Sequence, residues 1–459
     1  MNTHGFRFSS RLRRWWPAVL LALGTHSGAA DLMDAWRQAQ AHDPQLAVAQ
    51  AQRAQAQARL AQVAPLWEPQ AQARVAAGVG GQDAAITNAR AMGQSGVDFD
   101  SSILAGAMVR TSVGVQKPLR NASLDVQARM LEVGAGVGDL QWKQAEQDLA
   151  WRVVQRYIEV LSARLTQESW QRQLQTMVKA EAEIVRRQRV GDATKMDVQE
   201  AQARLASVRA QLVQARHEVD AKSLAYRYLT GRAPDALRAP TDPRDVGVAA
   251  LPDEIQWLNQ ARAQSVALQL VDLQIELQTQ EARRIRVTGT TPTLDWVAQA
   301  QLDRLTGRGM GGGATQQIGG YLVGVQWTMP LGTHGLADAR EQEAMKQVDK
   351  LRRDRDLAQS QIELQVSEAW QSLLAAQERV SVLAQANQVN VQRLAATRAA
   401  HQVGTRTTLE WLGAEQDAAQ AELVWRQARL QVLLARARLH WASGQLGDTE
   451  LQAINQTLQ

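Results

Sequence analysis

Two stretches decide the fold: RVGDATKMDVQEAQARL at 189–205 and QVGTRTTLEWLGAEQDA at 402–418. Val190, Gly191, Thr194, Asp197 and Ala201 of the first return in the second as Val403, Gly404, Thr407, Glu410 and Ala414, each 213 positions on. The register continues: Gln214-Ala215-Arg216 returns as Gln427-Ala428-Arg429, Val219 as Val432 and Gly231 as Gly444. Upstream, Val-Gly-Val-Gln stands at 113–116 and at 323–326, followed by Pro118-Leu119 and Pro330-Leu331. A repeat of roughly 210 residues is too long for a solenoid unit and predicts two copies of one supersecondary unit.

Around these stretches proline is absent, from 119 to 233 and from 331 to the last residue, while Ala, Gln, Arg, Leu and Glu abound. Good helix formers without a breaker predict helix across both windows. The interruptions fall at Val190-Gly191-Asp192 and Val403-Gly404-Thr405. The segments 119–190 and 332–402 would each reach ~100 Å at 1.5 Å per residue, too long for a compact globule. After each break runs a seam spaced 3,4,3,4: Val198, Ala201, Leu205, Val208, Leu212, Ala215 and Val219, then Trp411, Ala414, Ala418, Ala421, Trp425, Ala428 and Val432. That spacing is the signature of coiled helices. A helix near Leu32, Trp36 and Ala39 breaks at Asp43-Pro44, where Asp caps and Pro takes the first helical position. Another helix is expected over about 253–287.

Four segments follow a different period. They lie at about 69–79, 108–117, 292–303 and 320–330. In the third, Leu294, Trp296, Ala298, Ala300 and Leu302 alternate with Asp295, Val297, Gln299, Gln301 and Asp303; in the fourth, Tyr321, Val323, Val325, Trp327 and Met329 share one face. Strands of about ten alternating residues suit a membrane β-barrel with lipid on one side and water on the other, and equally an ordinary half-buried hairpin. Leu294, Trp296, Val323, Val325 and Trp327 are the candidate lipid-facing residues. The segments about 79–107 and 306–320, rich in Gly with Ser, Asp or Thr, are expected as long loops. Four strands cannot close a barrel, and an open edge in lipid leaves backbone groups unpaired at several kcal/mol each, so other copies must complete it.

Residues 1–30 form an expected signal peptide, with Arg7, Arg11, Arg13 and Arg14 ahead of WWPAVLLALG and a small-residue site ending Gly28-Ala29-Ala30. Its removal takes the formal charge from +5 to +1, because the segment holds four Arg and no acidic residue. The basic balance therefore gives no argument for nucleic acid. The chain has no Cys, which excludes thiol catalysis, disulfides, a Cys zinc site and an anchor on an N-terminal Cys. Its seven His are scattered without metal-ligand spacing, and no nucleophile, base and metal constellation stands out, so neither cofactor, metal nor catalytic residue is expected.

With a signal segment, two strand hairpins and two helix pairs broken at Val-Gly-x-x-Thr turns, the chain resembles the TolC family of trimeric outer-membrane channels. The resemblance covers residues 31–450. It rests most on QVGTRTTLEWLGAEQ, with VGDATKMDVQEAQARL, DLMDAWRQAQAHDPQL and VGVQWTMPL in support. It implies an α+β membrane protein, internally duplicated, giving four strands to a 12-stranded trimeric β-barrel above a long antiparallel coiled-coil α-helical tunnel. The implied division is a first repeat 31–240 with a hairpin tip about 190–196, a second repeat 241–450 with a tip about 402–409, and a C-terminal tail 451–459.

The resemblance further implies a homotrimer in outer-membrane lipid that works with a periplasmic adaptor, also called a membrane fusion protein, and an inner-membrane transporter, either of the ABC type, to which the missing anchor Cys leans, or proton-driven. The hairpin tips Val190, Gly191, Val403, Gly404 and Thr405 would meet the adaptor. Asp197, His401, Arg406 and Glu410 would form the periplasmic gate. Departures are Gly413, where the family carries a second acidic residue, and His401, where an aromatic hydroxyl is frequent. Asp197 and Glu410 also fit plain helix-start charges. The rival function is a periplasmic adaptor, which predicts one helical hairpin and a lipoyl-like β domain.

Overall fold

The computed structural model describes residues 31–91, 93–234, 237, 253–309, 312–331 and 335–458. The expected signal peptide lies outside the described residues. Asp31 starts α1 (Leu32–His42) by accepting the Asp34 N–H at 2.8 Å. Asp43 ends it and caps α2 (Pro44–Leu60), accepting from Leu46 while Pro44 opens the helix. Arg152 fixes this break with two bonds to Asp43, at 3.1 and 2.8 Å. The strands β1 (Gln70–Ala91) and β2 (Gln94–Arg120) follow, then α3 (Ala122–Val190) and α4 (Lys195–Thr230).

The second half repeats the order: α5 (Glu254–Gln264), α6 (Val266–Thr290), β3 (Thr293–Gly309), β4 (Gly312–Thr328), α7 (Leu336–Gln402) and α8 (Thr408–Ala442). A last helix, α9 (Asp448–Leu458), closes the chain. The four strands form one antiparallel sheet in the order β1-β2-β3-β4. The 69 residues of α3 and 67 of α7 make the two long rods, ~100 Å each. No helix among the described residues is long and apolar enough to cross a membrane.

The structure corrects three expectations. The segments 79–107 and 306–320, expected as loops, lie largely within the hairpins: β1 pairs with β2 out to Ala91↔Gln94, and β3 with β4 out to Gly309↔Gly312. Glycine here serves close backbone approach. A Cβ at Gly106 would stand 2.5 Å from the Thr306 carbonyl oxygen, and one at its partner Gly307 would stand 2.2 Å from that of Ala105. The helix expected over 253–287 breaks at Ser265, whose side chain caps α6 by accepting from Leu268 at 3.4 Å. The expected tail at 451–459 falls largely in α9, which buries Leu451, Ile454 and Leu458.

Among the described residues three apolar cores tie the rods together. The largest joins α1, α3, α4, α8 and α9 through Leu32, Trp36, Val153, Tyr157, Leu433 and Leu451. A second joins α5, α7 and α8 around Trp257, Val366 and Leu439. The third lies near the free ends of the rods and joins the first hairpin to α8 through Ile184, Leu205 and Leu412. At mid-height the packing order is α2-α3-α6-α7; toward the hairpin tips it is α4-α3-α8-α7.

Candidate functional site

The two hairpin tips are built alike. Gly191 ends α3 with φ 89°, its N–H donating to the Arg187 and Gln188 carbonyls. Gly404 follows α7 with φ 79°, and only glycine takes such angles without strain. Thr194 and Thr407 then start the return helices with matching capping boxes. The Thr194 hydroxyl accepts the Asp197 N–H at 3.2 Å, and the Asp197 carboxylate accepts the Thr194 N–H at 2.8 Å. Thr407 and Glu410 repeat both bonds at 3.2 and 2.8 Å. Val190 and Val403 are among the most exposed apolar side chains, 73% and 76% accessible.

These bonds set the charge of the tips. Bonds from the Thr194 backbone N–H and then its hydroxyl hold the Asp197 carboxyl below the usual carboxylate range. The Thr407 N–H, followed by the Arg406 guanidinium, does the same for Glu410. Glu410 is exposed and Asp197 half-buried, and both carboxylates are ionised at neutral pH. Arg406 binds Glu410 of its own turn at 2.6 Å, so within one chain it does not link separate helices. His401 stacks on Trp411 with centroids 5.5 Å apart, and its Nε2 stands 3.1 Å from the Thr408 hydroxyl. Arg187 reaches the same hydroxyl at 3.5 Å from the other hairpin. The structure thus brings His401, Arg406 and Glu410 to one tip and Asp197 to the other, with the two tips joined at Thr408 and Leu412.

At the opposite end, the strand registers put every alternation in phase. One row runs Ala73–Val113–Ala300–Tyr321 and the next Ala71–Val115–Ala298–Val323. The same face carries Leu294 opposite Trp327 and Trp296 opposite Val325. Val323, Val325 and Trp327 are each more than 60% accessible, an apolar face that none of the described residues covers. The other face shows rows such as Arg74–Ser112–Gln301–Gly320, and Arg110 binds Asp303 across it at 3.0 Å.

The comparisons agree with this geometry. Residues 257–445 match the sequence profile of the family described as outer membrane efflux protein. BepC of Brucella suis, an outer membrane efflux protein, is 29% identical over 312 residues, 67% of this chain and 65% of BepC. TolC of Escherichia coli is 24% identical over 71% of this chain and 67% of its own length. The chain thus spans about two thirds of these two relatives. AprF of Pseudomonas aeruginosa, an alkaline protease secretion protein, is 25% identical over 97% of this chain and 91% of AprF. Among solved structures, CusC superposes with TM-score 0.70 at 14% identity, over 90% of this chain and 92% of CusC. The open-state MtrE channel of Neisseria gonorrhoeae gives 0.68 at 15%, over 90% and 89%.

The chain is similar to the TolC family of outer-membrane efflux proteins and shares the fold of its solved channels. Its relatives BepC and TolC are outer-membrane proteins. Channels of this family are trimeric. Sequence reasoning missed two contacts at the site, His401 on Trp411 and Arg187 on Thr408. The first had a signal, two aromatic rings flanking one turn; the second pairs residues 221 apart and had none.

Proposed function

We propose that three copies of this chain form an exit duct, a 12-stranded barrel above a helical tunnel, and that the duct performs no chemistry. The observation that carries this reading is that each layer of the chain is an open row. The sheet ends in β1 and β4, the middle helices in α2 and α7, the lower helices in α4 and α7. One edge belongs wholly to the first repeat and the other to the second, as a ring of identical units requires. Both lower edges carry exposed apolar side chains, Leu357, Leu364, Val382 and Val389 on α7, and Val213, Leu224 and Tyr228 on α4. Pairing β4 with the β1 of a neighbour removes the sheet edges that lipid cannot satisfy.

In the assembled duct the face of Trp296, Val323, Val325 and Trp327 meets lipid, and the face of Arg74, Arg110 and Asp303 lines the pore. Asp197, Glu410, Arg406 and His401 form the periplasmic constriction, where a ring of carboxylates attracts cations and repels anions. Val190, Gly191, Val403, Gly404 and Thr405 meet a periplasmic adaptor coupled to an inner-membrane transporter of the ABC type. Protein cargo is favoured by the relative matched over nearly the whole chain, a protease secretion protein. Small-molecule export is the second reading, favoured by BepC, an efflux protein.

The test replaces Val190 and Val403 together by Asp. The double variant should assemble normally, lose capture of the adaptor and lose export. Adaptor capture equal to the wild type would remove the tips from the docking role.

A further inference from the structure

On the outward face of β3, the apolar series Leu294, Trp296, Ala298, Ala300 and Leu302 gives way to Arg304, Thr306 and Arg308. The neighbouring strand changes with it. Gln317 stands opposite Arg304 and Thr315 opposite Thr306, the two threonine hydroxyls 3.2 Å apart. On the other flank β2 presents Val109, Ala107 and Ala105, side chains too small to cover the arginines. Both guanidinium groups are exposed, and among the described residues neither has a carboxylate partner. Arg110, on the inner face, is neutralised by Asp303.

The height of these residues matches their chemistry. Ten residues separate Leu294, opposite Trp327, from Arg304. At about 3.3 Å per residue and a tilt of about 40°, this is ~25 Å along the membrane normal, the height of the apolar band of an outer-membrane barrel. Trp296 and Trp327 mark the periplasmic boundary, so Arg304 and Arg308 stand at the outer one.

We propose that Arg304, Thr306 and Arg308 bind the phosphorylated headgroup of an outer-leaflet glycolipid, an inference that rests on the membrane-spanning reading of the sheet. Each guanidinium offers a planar pair of donors to a phosphate, and the threonine hydroxyls add further donors. Alanines 105 and 107 leave a shallow track beside them for an acyl chain. The site would hold lipid around the barrel rim without touching the pore.

The experiment measures binding of bisphosphorylated lipid A to the purified trimer by native mass spectrometry, with phosphatidylglycerol and inorganic phosphate as competing probes. The double variant Arg304→Gln/Arg308→Gln should weaken lipid A binding about tenfold or more, the loss expected from two charge-assisted contacts. The pore-facing control Arg74→Gln should not. Unchanged binding by the double variant, or phosphatidylglycerol or phosphate binding as tightly as lipid A, would overturn the proposal. The absence of Cys allows a single reporter, Val323→Cys carrying an environment-sensitive dye, in the reconstituted protein. A dye reporting water sinks the membrane reading itself, whereas a dye reporting lipid beside unchanged lipid A binding sinks only the headgroup site.

Discussion

Trp296 stands directly across the β3–β4 ladder from Val325, and both share the exposed apolar face with Val323 and Trp327. Gln299, three residues along from Trp296, points to the other face beside Leu322. Lysine at Ala300 or at Tyr321 opposite it, midway between Leu294 and Arg304, should cost ~2–4 kcal/mol of membrane assembly, the penalty for a charge facing lipid near mid-bilayer, against ~0–1 kcal/mol at Val325 or Trp296 near the boundary. Lysine at Gln299 should cost little. The folded fraction on outer-membrane extraction reads the difference, and normal assembly of Ala300→Lys would remove the lipid assignment.

Glu410 has two roles that one substitution separates. A capping box accepts Gln as well as Glu at its third position, so Glu410→Gln keeps the bond from Thr407 and removes the charge. Its trimers should be as stable as the wild type, with reduced preference for cations in single-channel recordings. Arg406→Ala should likewise leave trimers intact and alter conductance or leak. Thr407→Ala removes the cap and should cost ~1 kcal/mol at the start of α8. Unchanged conductance in both Arg406→Ala and Glu410→Gln would displace the gate from this turn.

The depressed acidities of Asp197 and Glu410 fix the sign of a pH effect. A carboxyl whose folded pKa lies below its unfolded value stabilises the fold fully above the unfolded pKa and loses that contribution as pH falls through the folded one. Cation selectivity should therefore persist when pH drops to the ordinary carboxylate range, about 4, and fade only below it. Reversal potentials across a salt gradient measure this. A loss of selectivity centred at or above the ordinary range would contradict the cap geometry.

Two glycines predict opposite outcomes. Gly231 ends α4 with φ 75°, and a Cβ there would stand 2.8 Å from Cγ of His42. Gly231→Ala should destabilise the trimer by ~1–3 kcal/mol, combining backbone strain with the clash. Gly413 lies inside α8, and among the described residues no atom beyond its chain neighbours and the adjoining helix backbone comes within 4 Å of a Cβ. Gly413→Ala should stabilise by ~0.5–1 kcal/mol. Thermal melts of the detergent-solubilised trimer, followed at 222 nm, should move in opposite directions.

How far the sequence spoke follows from how local each determinant is. Thr194-x-x-Asp197 and Thr407-x-x-Glu410 announce their helix starts because every partner lies within three residues. The strand faces are legible at Trp296 and Val325 because alternation needs no knowledge of the partner strand. Hairpin length was hidden, because glycine signals a turn unless one knows that Gly106 and Gly307 lie against each other's strand. The break at Ser265 lacked the proline that marked Asp43-Pro44. In α9, docking depends on residues at the other end of the chain: Asn455 accepts the Leu32 N–H at 3.0 Å, and Trp36 donates to Asp448 at 2.7 Å. The bland reading of Asp197 and Glu410 as helix-start charges describes their bonds correctly; a gate adds a second use for the same carboxylates.

The central claim is that this chain closes its sheet only with copies of itself. The direct measurement is fractionation of the expressed protein followed by the cross-linked mass of the detergent-extracted species. The account predicts a species of three chains in the outer membrane. A soluble or inner-membrane species, or one of another stoichiometry, would contradict it.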